Sequence, residues 1–334
     1  MECQVLVEEF RGGILENVHM GVICGIHAEE DVCYSVGDSQ HMTFLRSAAK
    51  PFQAIPVIQH GVAEQFGLTL EEVALFAASQ RGEAYHIEAL ESIIRKTSIE
   101  EDQFYCCPSY PLNDEPKADY HRQHGEKRKL YHNCSGKHSG FMALAKVLGH
   151  ELEGYWQLEH PVQQLGLAAM AEMADYPKEN IGIGIDGCGF PVYAMPLQHI
   201  AQAYLKLACP DLIEQQVMRE AVVSMTASMT AHPEMIASHN FICSVLLADP
   251  NIIAKGGAKG VYGFALKKER MSFALKVLDG SELVWPNIVA SILEQIGYDN
   301  YETIERLYAL SPKEIVNDNA AVVGERKAVF DLGV

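Results

Sequence analysis

Ser47-Ala48-Ala49-Lys50 is the one Ser-x-x-Lys sequence in the chain. At the start of a helix, residues three apart share a face, so the hydroxyl and the amine can meet. A serine is a weak nucleophile until a base takes its proton. A lysine serves as that base only when its pKa falls from ~10.4 toward roughly 7–8, through burial and nearby positive charge. The flanks suit that demand: Ala48, Ala49, Pro51 and Phe52 are small or apolar, and Arg46 adds a cation that could also touch a substrate. An exposed lysine on an ordinary helical turn has the same four letters, so the spacing needs company.

Two further elements supply it. Ala77-Ala78-Ser79-Gln80 ends an apolar helical run with a serine, and Lys255-Gly256-Gly257 stands just before the strand-like Gly260–Leu266. An early Ser-x-x-Lys, a second serine and a late Lys-Gly-Gly follow the order of motifs in serine β-lactamases and penicillin-binding proteins, although the Ser-Asp-Asn element is missing. A second group of residues is Asn133-Cys134-Ser135-Gly136-Lys137-His138 together with Ile185-Asp186-Gly187-Cys188-Gly189. By ligand type, Cys134, His138 and Cys188 form a zinc set, while two buried thiols without metal are the plainer alternative. Asp186 is a carboxylate suited to holding an ammonium, or to closing its own turn.

Elements must bring these residues together. The first forty residues read as an antiparallel meander: Gln4–Val7, Val18–Ile26 and Asp31–Val36, with turns at Gly12-Gly13 and Glu29–Asp31. Helical spacing follows in Phe52–Gly61, Leu70–Ala78, Tyr85–Lys96, His138–Leu148, Leu152–Ala174 and Leu212–Ala231. Tyr105–Arg128 reads as a loop, Gly260–Leu266 and Ser272–Val277 as a hairpin, Ser281–Ile296 as a helix and Arg326–Leu332 as a last strand. The expected class is α+β: one antiparallel sheet from about 1–40 and 250–334, with a helical region over about 44–245 inserted in a single domain.

Composition sets the surroundings. In 334 residues, 26 Lys+Arg against 44 Asp+Glu leave a net charge of −18, which argues against nucleic acid and anionic membranes as partners. No apolar run is long enough to span a bilayer, and the N-terminus shows no signal-peptide pattern. Nine cysteines without disulfide-like spacing suit reduced thiols and a cytoplasmic location.

Taken jointly and in order, Leu45–Gln53, Ala78-Ser79, Asn133–His138, Asp186–Gly189 and Lys255–Ala258 make the chain resemble the rhizobial-type (class 3) L-asparaginase family, also called bacterial L-asparaginase II, over nearly its whole length. The resemblance implies a serine β-lactamase/glutaminase-like fold, a homodimer, and hydrolysis of the side-chain amide of L-asparagine to L-aspartate and ammonia. It implies two catalytic pairs, Ser47 with Lys50 and Ser79 with Lys255. It also implies a Zn2+ ion held by Cys134, Lys137 and Cys188, which replaces His138 in the ligand set. Asp186 and His138 are then expected on the substrate, with Ser47 as the nucleophile. Two positions depart from the family's usual pattern: Gln80 where many members have a histidine, and Lys259 where an acidic residue is usual. Both bear on substrate preference, so glutaminase or another amidohydrolase of this fold is the alternative reading. A non-catalytic amino-acid or zinc-binding protein would not need both serines and both lysines.

Overall fold

The computed structural model describes residues 2–333. Its strands in chain order are β1 (Gln4–Arg11), β2 (Ile14–His27), β3 (Glu30–Val36), β4 (Met42–Phe44), β5 (Gly182–Ile185) and β6 (Pro191–Pro196). They continue with β7 (Ile252–Gly256), β8 (Val261–Leu266), β9 (Met271–Val277), β10 (Glu314–Val316) and β11 (Val322–Ala328). The chain divides into two compact units. The first takes in the chain up to Ala48, Met195–Ala208 and the chain from Asn240 onward; the second is Ala49–Ala194 with Cys209–His239.

The first unit is built on an antiparallel sheet in the order β10-β11-β1-β2-β9-β8-β7, with β3 also on β2. Strands from the two ends of the chain lie side by side, Val7 opposite Ala328 and Glu9 opposite Arg326. The Arg326 guanidinium donates to Glu9 Oε1 at 2.6 Å, so an ion pair reinforces that register. The β1–β2 turn needs positive φ at two successive residues, and Gly12 (φ 56°) and Gly13 (φ 81°) supply it without a Cβ penalty. Every residue of β7 and β8 is buried, as expected of strands covered on both faces. Helix Leu197–Ala208 packs on β9, β8 and β2, and helix Trp285–Gln295 packs on β1 and β11. This is the α+β arrangement that the strand pattern at the two ends of the sequence implies.

A buried carboxylate fastens helix Tyr301–Leu310 to the start of β7. Asp249 Oδ2 accepts from Tyr298 (2.8 Å), Asn300 (2.8 Å) and Thr303 (2.7 Å), and Oδ1 accepts from the Asn251 amide at 3.0 Å. Burial alone would raise this carboxyl, but the donors outweigh it and hold the group below its usual value. The stabilisation is therefore present above the unfolded-state pKa of about 3.9 and is lost as pH falls through the lower folded value. Asp249→Asn should destabilise the protein by about 1–3 kcal/mol near neutral pH, with the gap to wild type closing below about pH 4; thermal melts across that range are the check.

The second unit is mainly helical, with β5 and β6 paired as a hairpin that places Ile185 opposite Pro191. Its helices include Lys50–Gln59, Ala84–Thr97, Ser135–Leu148, Pro161–Ala174 and Gln216–Ala231. Two expectations need correction. Leu152–Ala174 is helical only from Pro161, where proline suits the first turn and His160 Nδ1 accepts from the Val162 amide at 3.3 Å. Tyr105–Arg128 is not all loop: Asp114–Arg122 is a helix with acids in its first turn, bases in its last and no buried residue, so it leaves no apolar period to read. In the first unit, Lys255 lies inside β7, the last strand in the sheet order. A fully buried strand has no alternation to mark it.

Candidate active site

In the second unit the site is organised around the Lys50 amine. Lys50 opens its helix, with Pro51 in the first turn, and its side chain is 0% exposed. Nζ lies 2.6 Å from Ala78 O, 3.1 Å from Asn133 O and 3.0 Å from Ser79 Oγ. Burial is the largest influence on this lysine and lowers it; the Lys137 charge adds to that, while the Cys134 and Cys188 thiols oppose it. The three contacts have a chemical meaning. A neutral amine has two N–H groups for the two carbonyls and one lone pair left for a hydroxyl proton. Ser79 is the hydroxyl in that third position.

Ser79 follows the 3-10 turn Leu75–Ala77, where Ala78 turns extended and ends the helical run. Its amide donates to Ile236 O at 2.8 Å, and the residue is half-buried. The neighbouring Gln80 is fully buried and joins two loops. Its Nε2 donates to Leu130 O and His132 O, both at 2.9 Å, and its Oε1 accepts from the Gly82 amide at 2.6 Å. Gln80 thereby ties the Ser79 loop to the segment leading into Asn133 and Cys134. At the position of the departure from histidine, an amide makes one more bond than an imidazole could.

Cys134 precedes helix Ser135–Leu148, and Lys137 is three residues on, so both face the same way. Cys188 comes from the β5–β6 turn, with Sγ 3.3 Å from Lys137 Nζ. All three are buried. The hydrogen bond between the two sulfurs is the first cause of both their shifts: Cys134 falls well below the usual thiol range and Cys188 rises, so one proton serves two thiols. Burial works to lower Lys137, but the Cys188 and Cys134 sulfurs outweigh it and raise the amine. Two thiols and an amine meeting in one buried place are a donor set that fits a divalent soft-to-borderline ion such as zinc. Among the described residues, no group of three or more His, Cys, Asp or Glu is placed to hold a metal ion; the third donor beside these two cysteines is a lysine.

His138 is buried, with Nδ1 2.6 Å from the Tyr155 hydroxyl, which itself accepts from the Tyr105 amide at 2.9 Å. In the tautomer in which the Tyr155 hydroxyl donates to Nδ1, the single N–H of the neutral imidazole is at Nε2. Nε2 is buried and has no hydrogen-bond partner among the described residues. Burial, then the Lys137 charge, lowers His138 well below its usual value and keeps it neutral. Asp186 Oδ1 accepts from the Gly187 amide at 2.8 Å, and its carboxylate also acts on Lys137. Turn closure and a charge role thus coexist in one residue.

The first unit carries Ser47, Arg46 and Lys255. Ser47 lies in the 3-10 turn Arg46–Ala49, half-buried, with Arg46 at φ 50°. Lys255 is buried in β7, and its Nζ donates to Gly256 O at 2.8 Å. The backbones of the two motifs touch: a Cβ on Gly257 would lie 2.3 Å from Leu45 O and 3.1 Å from Ala48 N. Only glycine fits there. The contact that most clearly joins a serine to a lysine is Lys50–Ser79, a pairing absent from sequence expectations. It depends on two backbone carbonyls that no residue type advertises. Nothing in the sequence singles out Tyr155, and the tie that Gln80 makes between two loops is visible only in the structure.

A model of the L-asparaginase II family matches residues 7–328, nearly the whole chain and every candidate residue named above. The chain belongs to the L-asparaginase II family. It is accordingly an amidohydrolase acting on a small-molecule substrate. No curated protein sequence matches it. Among solved structures, a putative β-lactamase from Bacteroides dorei is similar with a TM-score of 0.42 and 11% identity, over 77% of this chain and 84% of its own. A class C β-lactamase from Rhodobacter sphaeroides gives 0.39 and 14%, over 87% and 93%. A Bacillus glutaminase gives 0.36 and 15%, over 78% and 84%. Likenesses of that size carry no argument by themselves, and the α+β class rests on the sheet and helices described above. Among the described residues, no helix is long and apolar enough to cross a membrane.

Proposed function

We propose that this L-asparaginase II family member is of the rhizobial (class 3) type, hydrolyses the side-chain amide of L-asparagine to L-aspartate and ammonia, and works as a cytoplasmic homodimer. The observation that carries the chemistry is the Lys50 amine, with two carbonyls and the Ser79 hydroxyl within 3.1 Å. Ser47 attacks the amide carbon, forming the acyl C–O bond, and Lys50, three residues on in the Ser-x-x-Lys motif, accepts the hydroxyl proton. The proton passes to Ser79, and from there to the departing nitrogen as the C–N bond breaks and ammonia leaves. Water then attacks the acyl-enzyme, releasing aspartate and restoring Ser47. Lys255, on the strand against the Ser47 turn, supplies positive charge beside the developing oxyanion.

Asp186 holds the substrate's α-ammonium, and the Nε2–H of His138 donates to the bound substrate. Arg46 stands beside the nucleophile as a partner for the α-carboxylate. Cys134, Lys137 and Cys188 would hold Zn2+, which when bound supplies a fixed positive centre for orienting the substrate. A coordinating lysine must first lose its proton, so Lys137 would be neutral in that state.

The test is ammonia release from asparagine, from glutamine and alongside a chromogenic β-lactam, with and without a zinc chelator. Asparagine should be the best substrate, although one methylene discriminates by only about 1–3 kcal/mol against glutamine. Elemental analysis should find zinc in stoichiometric amount, and Cys134→Ser or Cys188→Ser should lose it. Absence of ammonia at millimolar asparagine would remove the reading, and metal-free protein with full turnover would remove the zinc.

A further inference from the structure

We propose that Tyr204 is a positioning residue that fixes the Ser47 turn against the Lys255 strand, and that Gly263 is the gap that admits it. The inference rests on the reading of Ser47 and Lys255 as catalytic, and it names the group that sets their separation.

Tyr204 lies on helix Leu197–Ala208, and its side chain is 0% exposed. Its hydroxyl donates to Ala48 O at 2.8 Å and to Lys255 O at 3.0 Å. Ala48 adjoins Ser47, so one phenol proton is shared between the backbone beside the nucleophile and the backbone of the lysine. A hydroxyl has a single proton, so it bridges the two carbonyls only while both stay within reach; movement of either segment costs the contact. Burial raises this phenol well above its usual value, which keeps it a donor.

The sheet makes room for the ring. Gly263 on β8 is directly opposite Lys255 on β7. Directly opposed residues project to the same face of an antiparallel sheet, so the missing side chain leaves a space beside the lysine. The Tyr204 ring fills it: a Cβ on Gly263 would stand 2.2 Å from Tyr204 Cε2. The helix is held in register one turn earlier, where Ser272 Oγ on β9 donates to Ala201 O at 2.7 Å. Gly257, pressed against Leu45 O, closes the other side of the same contact. The ring, the two glycines and the bridging hydroxyl form one device for placing a turn against a strand.

Misplacing reacting groups by about 1 Å costs on the order of 100-fold in rate. Tyr204→Phe keeps the ring and removes the bridge. It should lower kcat by about 10- to 100-fold with KM changed less than about 2-fold, measured well below the melting temperature. Gly263→Ala keeps the hydroxyl but displaces the ring, and should lower kcat by a similar factor with little further loss when combined with Tyr204→Phe. Wild-type kcat in Tyr204→Phe, even with a lowered Tm, would show a merely structural tyrosine and overturn the inference. If Gly263→Ala fails to fold, the Tyr204→Phe kcat and KM decide alone. The two readings fail differently: an inactive wild type removes the proposed function, whereas an active wild type, an inactive Ser47→Ala and a fully active Tyr204→Phe remove only the role of Tyr204.

Discussion

Ser47→Ala should reduce ammonia release from asparagine by on the order of 10^4-fold or more while leaving the fold unchanged. The size follows from covalent catalysis: without the hydroxyl no acyl-enzyme forms, and what is left is the contribution of substrate binding and charge placement. The fold should survive because Ser47 is half-buried in a short turn whose shape depends on the backbone, with the Ala48 amide bonded to Leu45 O at 3.0 Å. Circular dichroism and thermal melting check the fold, and single-turnover ammonia release checks the chemistry. A variant with full turnover would move the nucleophile to Ser79, the hydroxyl already in contact with Lys50.

Lys50→Met should lower kcat by about 10^2- to 10^4-fold, the range expected for removing a positioned acid–base group. Methionine fills the buried space but offers no donor, so Ala78 O and Asn133 O lose their amine partner and Ser79 Oγ loses its base. Each orphaned carbonyl costs about 1–3 kcal/mol, offset in part because a buried amine no longer has to be desolvated. The informative comparison is the double variant. If Ser79 acts through Lys50, Ser79→Ala should cost much less in the Lys50→Met background than in wild type. Additive losses would mean that the two residues act at separate steps and that no proton passes between them.

Much of the fold was legible because its signals are local. Gly12-Gly13 between apolar runs marks a hairpin, as does Lys267–Arg270 between β8 and β9, and both lie where the pattern puts them. Two segments carry no such signal, for opposite reasons. Helix Asp114–Arg122 buries nothing and β7 buries everything, so neither shows a period. No element is expected from the sequence at Leu197–Ala208, where the structure has a helix packed on the sheet.

The sequence by itself determined the inventory and the family: two serines, three lysines, a cysteine pair and a carboxylate, each in a motif whose order is specific when the motifs are taken together. Those are properties of residue type and spacing along one chain. Only the tertiary structure decided which groups meet. Lys50 reaches Ser79 and the carbonyl oxygens of Ala78 and Asn133, and the hydroxyl of Tyr204 spans those of Ala48 and Lys255. Every residue carries a carbonyl, so nothing in a sequence distinguishes those four. What selects them is the burial of two side chains whose polar ends must be satisfied away from water.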